Sequence, residues 1–371
     1  MHLPLAKKKS SATPTVLRPH AETAYAAELK ALAEQDKGTR PTGWNLSPRA
    51  VVTYLLGDTL ADGTEITTKY FGDRRLIEVA VASLVTDRAL LLVGVPGTAK
   101  TWVSEHLAAA ISGDSTLLVQ GTAGMSEDAL RYGWNYARLL AEGPSEAAMV
   151  PSPVMTGMQA GKLVRLEELT RIPSDVQDAL ITILSEKILP IPELNKEVQA
   201  VRGFNIIATA NDRDKGVNEL SSALRRRFNT VVLPLPATLE EEVRIVTDRS
   251  SAAAAGMELP PVKKDVAAEI TRLVTIFREL RNGRTEDGRT QVKSPSSTLS
   301  TAEAISVVNQ SRALSHHFGS DDDALQPEHL AASLTGAIVK DRGQDEPVWR
   351  EYLEVVVRNR KGWEDLWEVL K

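Results

Sequence analysis

Cysteine is absent from all 371 residues, which excludes disulfides, thiolate zinc sites and thiol nucleophiles. Nor is there a run of about 18 consecutive apolar residues, the length a membrane-crossing helix needs. The three lysines at 7–9 are followed by no apolar stretch of signal-peptide length. A basic excess is missing too. The formal net charge is −5, whereas a general nucleic-acid binder needs cations to displace the counterions of the phosphates. These absences lead us to expect a soluble, cytoplasmic protein with no membrane partner and argue against nucleic acid as a ligand. What is present is ordinary for a globular chain, 42% hydrophobic and 25% charged, and long enough for two or three domains with cores of their own.

Residues 1–20 read as a tail and "AETAYAAELKALAEQ" (21–35) as a short helix of good helix formers, set apart by "GTRPTGWN". From residue 73 the order becomes regular. "DRRLIEVAVASLV" has helical apolar spacing, and "ALLLVG" is a short continuous apolar run typical of a buried parallel strand. "TWVSEHLAAAISG" follows as a helix closed by Gly113, then "STLLVQG" as a strand, "SEDALRYGWNYARLLAEG" as mostly helix and "KLVRLEEL" as a strand. "PSDVQDALITILSEK" reads as a helix, "GFNIIATAN" as a strand, "LSSALRRRF" as a short helix and "TVVLPLP" as a strand. Alternating strands and helices predict an α/β fold with a doubly wound parallel sheet. The chain beyond residue 237 reads as all-helical. The expected divisions are 1–49 (tail and helix), 50–236 (α/β domain), 237–345 (helical domain) and 346–371 (helical appendage).

Ligands of such sheets sit at the carboxyl ends of the strands, and the motifs fall there. "GVPGTAKT" (94–101) follows the first strand and opens the next helix. In that context Gly94 and Gly97 let backbone amides wrap phosphates, Lys100 reaches the β and γ oxygens of ATP, and the Thr101 hydroxyl holds Mg²⁺. Val95, Pro96, Thr98, Ala99 and Trp102 complete the expected nucleotide-binding stretch. Ala99 stands where the strict pattern has its last glycine, a substitution expected to be tolerated if φ stays negative. In "LVRLEEL", Glu167 is expected to face the magnesium shell and Glu168 the water that attacks the γ-phosphate. Asn211, ending "IIATAN", suits hydrogen bonding to the γ-phosphate or that water. Arg225, Arg226 and Arg227 offer guanidinium groups to stabilise developing charge; if they act in trans, the protein is an oligomer. A metal reading of His316 and His317 beside Asp321–Asp323 is rejected, because adjacent helical side chains point about 100° apart.

Together these residues resemble the AAA+ ATPases, and within them the MoxR branch, whose loop reads G-x-P-G-x-A-K-T; the resemblance makes Ala99 the family's form. It implies that 50–236 is the nucleotide-binding domain and 237–345 an all-helical lid domain, that Phe71, Gly72 and Asp73 in "YFGDRR" lie over the adenine, and that Glu168 is the catalytic glutamate. Asn211 becomes sensor 1, and Arg227 the arginine finger with Arg226 as runner-up. The apolar stretch 147–161, with Met149, Val154, Met155 and Met158, resembles the branch's loop inserted in its second helix, and 187–204 its pre-sensor hairpin, turning at Leu194-Asn195; such loops would grip a partner. Where relatives carry the sensor 2 arginine at the start of a lid helix, Ser296 stands here, so lid closure on ATP must use another residue, such as Arg342 or one from a neighbouring subunit, or be weaker. The resemblance further implies a homo-oligomeric ring or spiral of about six subunits that remodels a client protein, often with a von Willebrand A domain partner. A nucleotide-gated scaffold and a DNA translocase or restriction-type motor are the alternatives.

Overall fold

The computed structural model describes residues 16–211, 218–260, 266–319 and 325–371. The first fifteen residues of the expected tail and the Asp321–Asp323 turn lie outside them. Five parallel strands form the central sheet: β1 Ala89–Gly94, β2 Leu118–Gln120, β3 Leu163–Glu167, β4 Asn205–Asn211 and β5 Phe228–Val232. Their spatial order is β5-β1-β4-β3-β2. Along β1, Leu90 and Leu92 face one layer of core while Ala89 and Leu91 face the other, as the strand's period of two demands. Both faces are covered, which is why this strand reads as an unbroken apolar run.

On the first face pack α1 (Ala26–Gln35), α2 (Pro48–Leu56), α3 (Arg74–Val85) and α4 (Lys100–Ser112). Asp73 caps α3 through the Arg75 amide at 2.8 Å, and Gly113 ends α4 in the left-handed region. The expected helix at 21–35 is interrupted at Tyr25, so that α1 follows a separate turn, Ala21–Ala24.

The opposite face refines one expectation and corrects another. Within residues 126–143, Glu127–Ala129 is a 3-10 turn and Tyr136–Glu142 at the tip is helical, but between them Tyr132–Trp134 is a strand that pairs antiparallel with Met149–Pro151. The stretch expected to be a gripping loop instead forms α5, Pro153–Ala160. Its Val154, Met155 and Met158 are all 0% exposed, in the core beneath β3. Ser152 caps α5 by accepting from the Met155 amide at 3.0 Å, and Pro153 occupies the first turn, where its missing N–H costs nothing. The expected hairpin is present: Ile188–Ile191 pairs with Lys196–Gln199, and Asn195 takes the left-handed conformation at the turn.

The lid comprises α6 (Leu239–Gly256), α7 (Ala267–Asn282), α8 (Thr301–Phe318), α9 (Pro327–Ile338), α10 (Arg342–Tyr352) and α11 (Glu364–Leu370). Glu242 on α6 is fully buried and ties three helices together. It accepts from Arg278 at 3.2 Å, Arg281 at 2.7 Å and Thr301 Oγ1 at 2.8 Å. Trp349 and Trp363 are buried in the same core. Among the described residues, no helix is long and apolar enough to cross a membrane.

Candidate functional site

β1 ends at Gly94, in register with Asn211 at the end of β4, and β3 ends at Glu167 beside Gln120 of β2. Four strand ends therefore share one edge of the sheet, and the loop 94–99 leaves from it into α4. Gly97 has φ of +86° and lies against the lid: a Cβ there would stand 2.4 Å from the Ser300 Cβ. Gly94 is equally confined, with the Leu233 carbonyl and Thr98 Oγ1 each 2.6 Å from such an atom. Only glycine permits this approach. The Thr98 hydroxyl and amide both turn back to the Val95 carbonyl, with Pro96 between them. Lys100 folds along the loop, its Nζ donating to the Gly94 and Val95 carbonyls at 2.8 and 2.9 Å.

Ala99 departs from expectation. Its φ is +62° and ψ 22°, left-handed rather than negative, because the loop must reverse direction immediately before α4. For an L-residue this costs roughly 1–2 kcal/mol, so alanine is carried here as strain and not as a neutral replacement.

Glu167 is 2% exposed and fully engaged. Its Oε2 accepts from Thr101 Oγ1 at 2.9 Å and Thr209 Oγ1 at 2.7 Å, and its Oε1 from Ser104 Oγ at 2.5 Å and Arg165 Nη2 at 3.1 Å. The Thr101 proton is committed to this carboxylate, which leaves the hydroxyl oxygen to offer a lone pair to a cation. Among the described residues no three His, Asp or Glu side chains cluster as metal ligands. A cation at Thr101 would therefore rely on phosphate oxygens and water, the usual arrangement for Mg²⁺. The structure thus places Glu167 behind Thr101. Glu168, by contrast, turns outward with φ of +55°, its amide bonded to Thr209 Oγ1 at 3.0 Å and its carboxylate to Arg171 at 2.9 Å.

Phe71 packs with the lid: Arg244 and Arg249 of α6 lie 5.4 and 5.9 Å from its ring centroid, while Gly72 stands against the Tyr70 ring and Asp73 caps α3. Trp102 donates its indole N–H to the Lys69 carbonyl at 2.9 Å. His106, one turn further along α4, packs on Trp102 with ring centroids 4.3 Å apart and lies 2.9 Å from the Tyr54 hydroxyl. Burial holds His106 neutral, its pKa pushed down to about 2.

The arginine run begins on the last residue of the short helix Ser222–Arg225. Arg227 is half-buried and bonds within its own chain, to Ser185 Oγ and the Ala223 carbonyl. The Arg226 carbonyl is held by Arg88 at 2.7 Å while its side chain is exposed, as is that of Arg225. Ser296 does not begin a lid helix. It bonds through its amide and hydroxyl to the buried Asp345, and α8 starts five residues later at Thr301, behind the capping box of Ser300 and Glu303. Arg342 lines a cleft with Thr335, Trp349, Trp367 and Lys371, apart from the loop.

Sequence reasoning passed over Arg165, Ser104 and Thr209, which complete the setting of Glu167, and over Lys69 and Arg249 on the aromatic side. Arg165 and Glu167 share one strand face at i, i+2, a signal that was present; the others meet only through the fold.

Residues 89–228 match the AAA domain of the dynein-related subfamily, and residues 240–371 match the C-terminal domain of YehL-like AAA+ ATPases. The chain is 41% identical to the uncharacterized protein YehL of Escherichia coli (strain K12) over 349 residues, 93% of each chain. It is 26% identical to the uncharacterized protein SH1500 of Staphylococcus haemolyticus (strain JCSC1435) over 158 residues, 42% of this chain and 59% of that one, less than two thirds of the relative's length. Among solved structures, NtrX from Brucella abortus in complex with ADP has a TM-score of 0.50 at 13% identity, covering 81% of this chain and 64% of that one. At that identity the likeness is one of fold.

Proposed function

This chain belongs to the YehL-like AAA+ ATPases, and from that premise we propose that it hydrolyses ATP with Mg²⁺ and uses the cycle to remodel a partner protein, in the manner of the MoxR branch. The observation that carries the reading is the convergence of Lys100, Thr101 and the Glu167 carboxylate at the carboxyl edge of a parallel sheet. Lys100 would exchange its carbonyl partners for phosphate oxygens, a stronger charge-assisted bond. Thr101, held by Glu167, is the residue that would carry Mg²⁺, whose charge would offset that of the phosphates. Glu168 would leave Arg171 and accept a proton from the attacking water, with Asn211 orienting that water.

Lys100→Ala should abolish ATP binding in calorimetry; unchanged affinity would remove the site. Glu168→Gln should keep binding but slow turnover by about two or more powers of ten. A scaffold that binds ATP and scarcely hydrolyses it is the second reading, favoured by the Glu168–Arg171 pair. It prevails if wild type and Glu168→Gln turn over equally slowly.

For the partner, the supporting feature is the projecting hairpin 132–151, whose tip helix presents Tyr136 and Leu140, 70% and 88% exposed. These two, one turn apart on one helix face, take the client-gripping role expected of the buried methionines. A homo-oligomeric ring or spiral of about six subunits, with Arg226 or Arg227 reaching a neighbour's nucleotide, and a von Willebrand A domain protein as partner complete the proposal.

A further inference from the structure

Lys69 stands between three parts of the molecule. Its ammonium group is fully buried and ion-paired with Glu28 of α1. It also donates to the Thr67 carbonyl at 2.8 Å, with the Tyr25 and Tyr54 rings against it at 4.5 and 4.4 Å. Its carbonyl accepts from Trp102 of α4 at 2.9 Å and from Arg249 Nη2 of the lid helix α6 at 2.8 Å. Arg249 reaches further. It donates to the Thr68 carbonyl at 3.0 Å and lies over the Trp102 ring at 4.5 Å. A lid cation is thereby set over Trp102, the residue directly after Lys100-Thr101, where a flat, electron-rich ligand edge has rings and backbone to meet.

The segment that supplies Glu28 is held by both apolar and polar contacts. Of residues 16–35, Ala21 and Leu32 are buried, and Tyr25, Leu29 and Ala33 pack, partly buried, against the core. The polar links are Arg18 with Glu105 at 2.6 Å, Glu22 with Ser115 Oγ at 2.7 Å, and Glu28 with Lys69 and Thr67.

We propose that Arg249 and Glu28 are positioning residues for the purine base of the nucleotide, Arg249 from the lid through Trp102 and the 68–69 backbone, Glu28 from α1 through Lys69. Both then set nucleotide affinity by holding residues 67–73, and by linkage the bound nucleotide holds α1 and α6 in place. The inference rests on the reading of residues 94–101 as an ATP site.

The test is titration of the full chain with ADP by calorimetry, beside steady-state ATP turnover, for Arg249→Ala, Arg249→Lys, Glu28→Gln and Lys100→Ala. Arg249→Ala should weaken ADP binding about tenfold or more, the scale of losing charged hydrogen bonds, and should raise KM more than it lowers kcat. Arg249→Lys should recover part of the affinity, since it keeps the charge but loses the planar fork. Glu28→Gln should weaken binding in the same direction, with Lys69 left short of its counter-ion. ADP affinity equal to wild type in Arg249→Ala and Glu28→Gln, with or without a lower melting temperature, overturns the proposal. If Arg249→Ala does not fold, the Lys variant and Glu28→Gln decide by the same criterion. Should Lys100→Ala also bind ADP like wild type, the ATP site itself is misplaced and the proposal falls with it. Loss in Lys100→Ala alone would overturn only the positioning roles.

Discussion

Two residues beside the loop hold conformations or charge states that cost free energy, and each gives a measurable consequence. Ala99 sits at φ of +62°, a strain of roughly 1–2 kcal/mol that glycine would relieve, offset by glycine's larger loss of chain entropy, about 0.5–1 kcal/mol. Relief wins narrowly, so Ala99→Gly is expected to raise the thermal midpoint by about 1–3 °C; a lower midpoint in calorimetric melting would show that the left-handed turn is not strained. His106 is depressed to a pKa of about 2 because it is buried, while an unfolded histidine titrates near 6.5. The folded chain thus binds fewer protons than the unfolded chain between these values. Its contribution is fully present above about pH 6.5 and is lost as pH falls through that window. Urea unfolding should show about 2 kcal/mol less stability at pH 5 than at pH 7.5 from this residue, and His106→Gln should remove that part of the pH dependence. An identical pH profile in the variant would count against a neutral, buried His106.

At the scale of elements, what could be read from the chain was whatever is local. "ALLLVG" is apolar at every position because β1 is covered on both faces, and the loop after it carries its own glycines and lysine in sequence. The stretch 147–161 misled because its prolines read as breaks. Pro153 instead starts α5 behind the Ser152 cap, and Gly161 ends it in the left-handed region, so cap, first-turn proline and terminal glycine were all on view. The start of the lid helix α8 is local in the same way: the capping box of Ser300 and Glu303 marks it. Nothing local could disclose Arg249 on Lys69, which are far apart in the chain and joined only by the docking of α6. The reassignment of 132–160 makes a sharp prediction. Met155→Ser removes a fully buried side chain and buries a hydroxyl, and is expected to cost about 3 kcal/mol or more. Leu140→Ser, at an 88% exposed site, should change stability by less than about 0.5 kcal/mol and should weaken capture of the protein partner. Denaturant midpoints of the two variants check this directly; equal, small shifts would return α5 to the surface.

For the whole molecule the open quantity is whether one subunit completes another's site. Arg227 spends two of its donor nitrogens on Ser185 and the Ala223 carbonyl of its own chain, whereas the exposed Arg226 has its backbone fixed by Arg88 and its guanidinium directed to solvent. An arm with a fixed base and an unburied head suits reaching across a subunit boundary, and a trans arginine is worth on the order of 10³ to 10⁵ in rate. The decisive experiment mixes subunits. A Glu168→Gln chain keeps its arginines, and an Arg226→Ala or Arg227→Ala chain keeps its Glu168, so a boundary where an intact Glu168 meets an intact arginine regains full turnover although each pure variant is inactive. We expect Arg226→Ala mixed with Glu168→Gln to rise well above both pure preparations. Arg227→Ala should instead lower the melting temperature, through its lost intrachain bonds, and recover less. Recovery in the Arg227→Ala mixture alone would give that residue the trans role. Activity at the pure-variant level in both mixtures, after subunit exchange has been verified by mass, would mean that each subunit works with its own arginines and that assembly serves something other than completing the site.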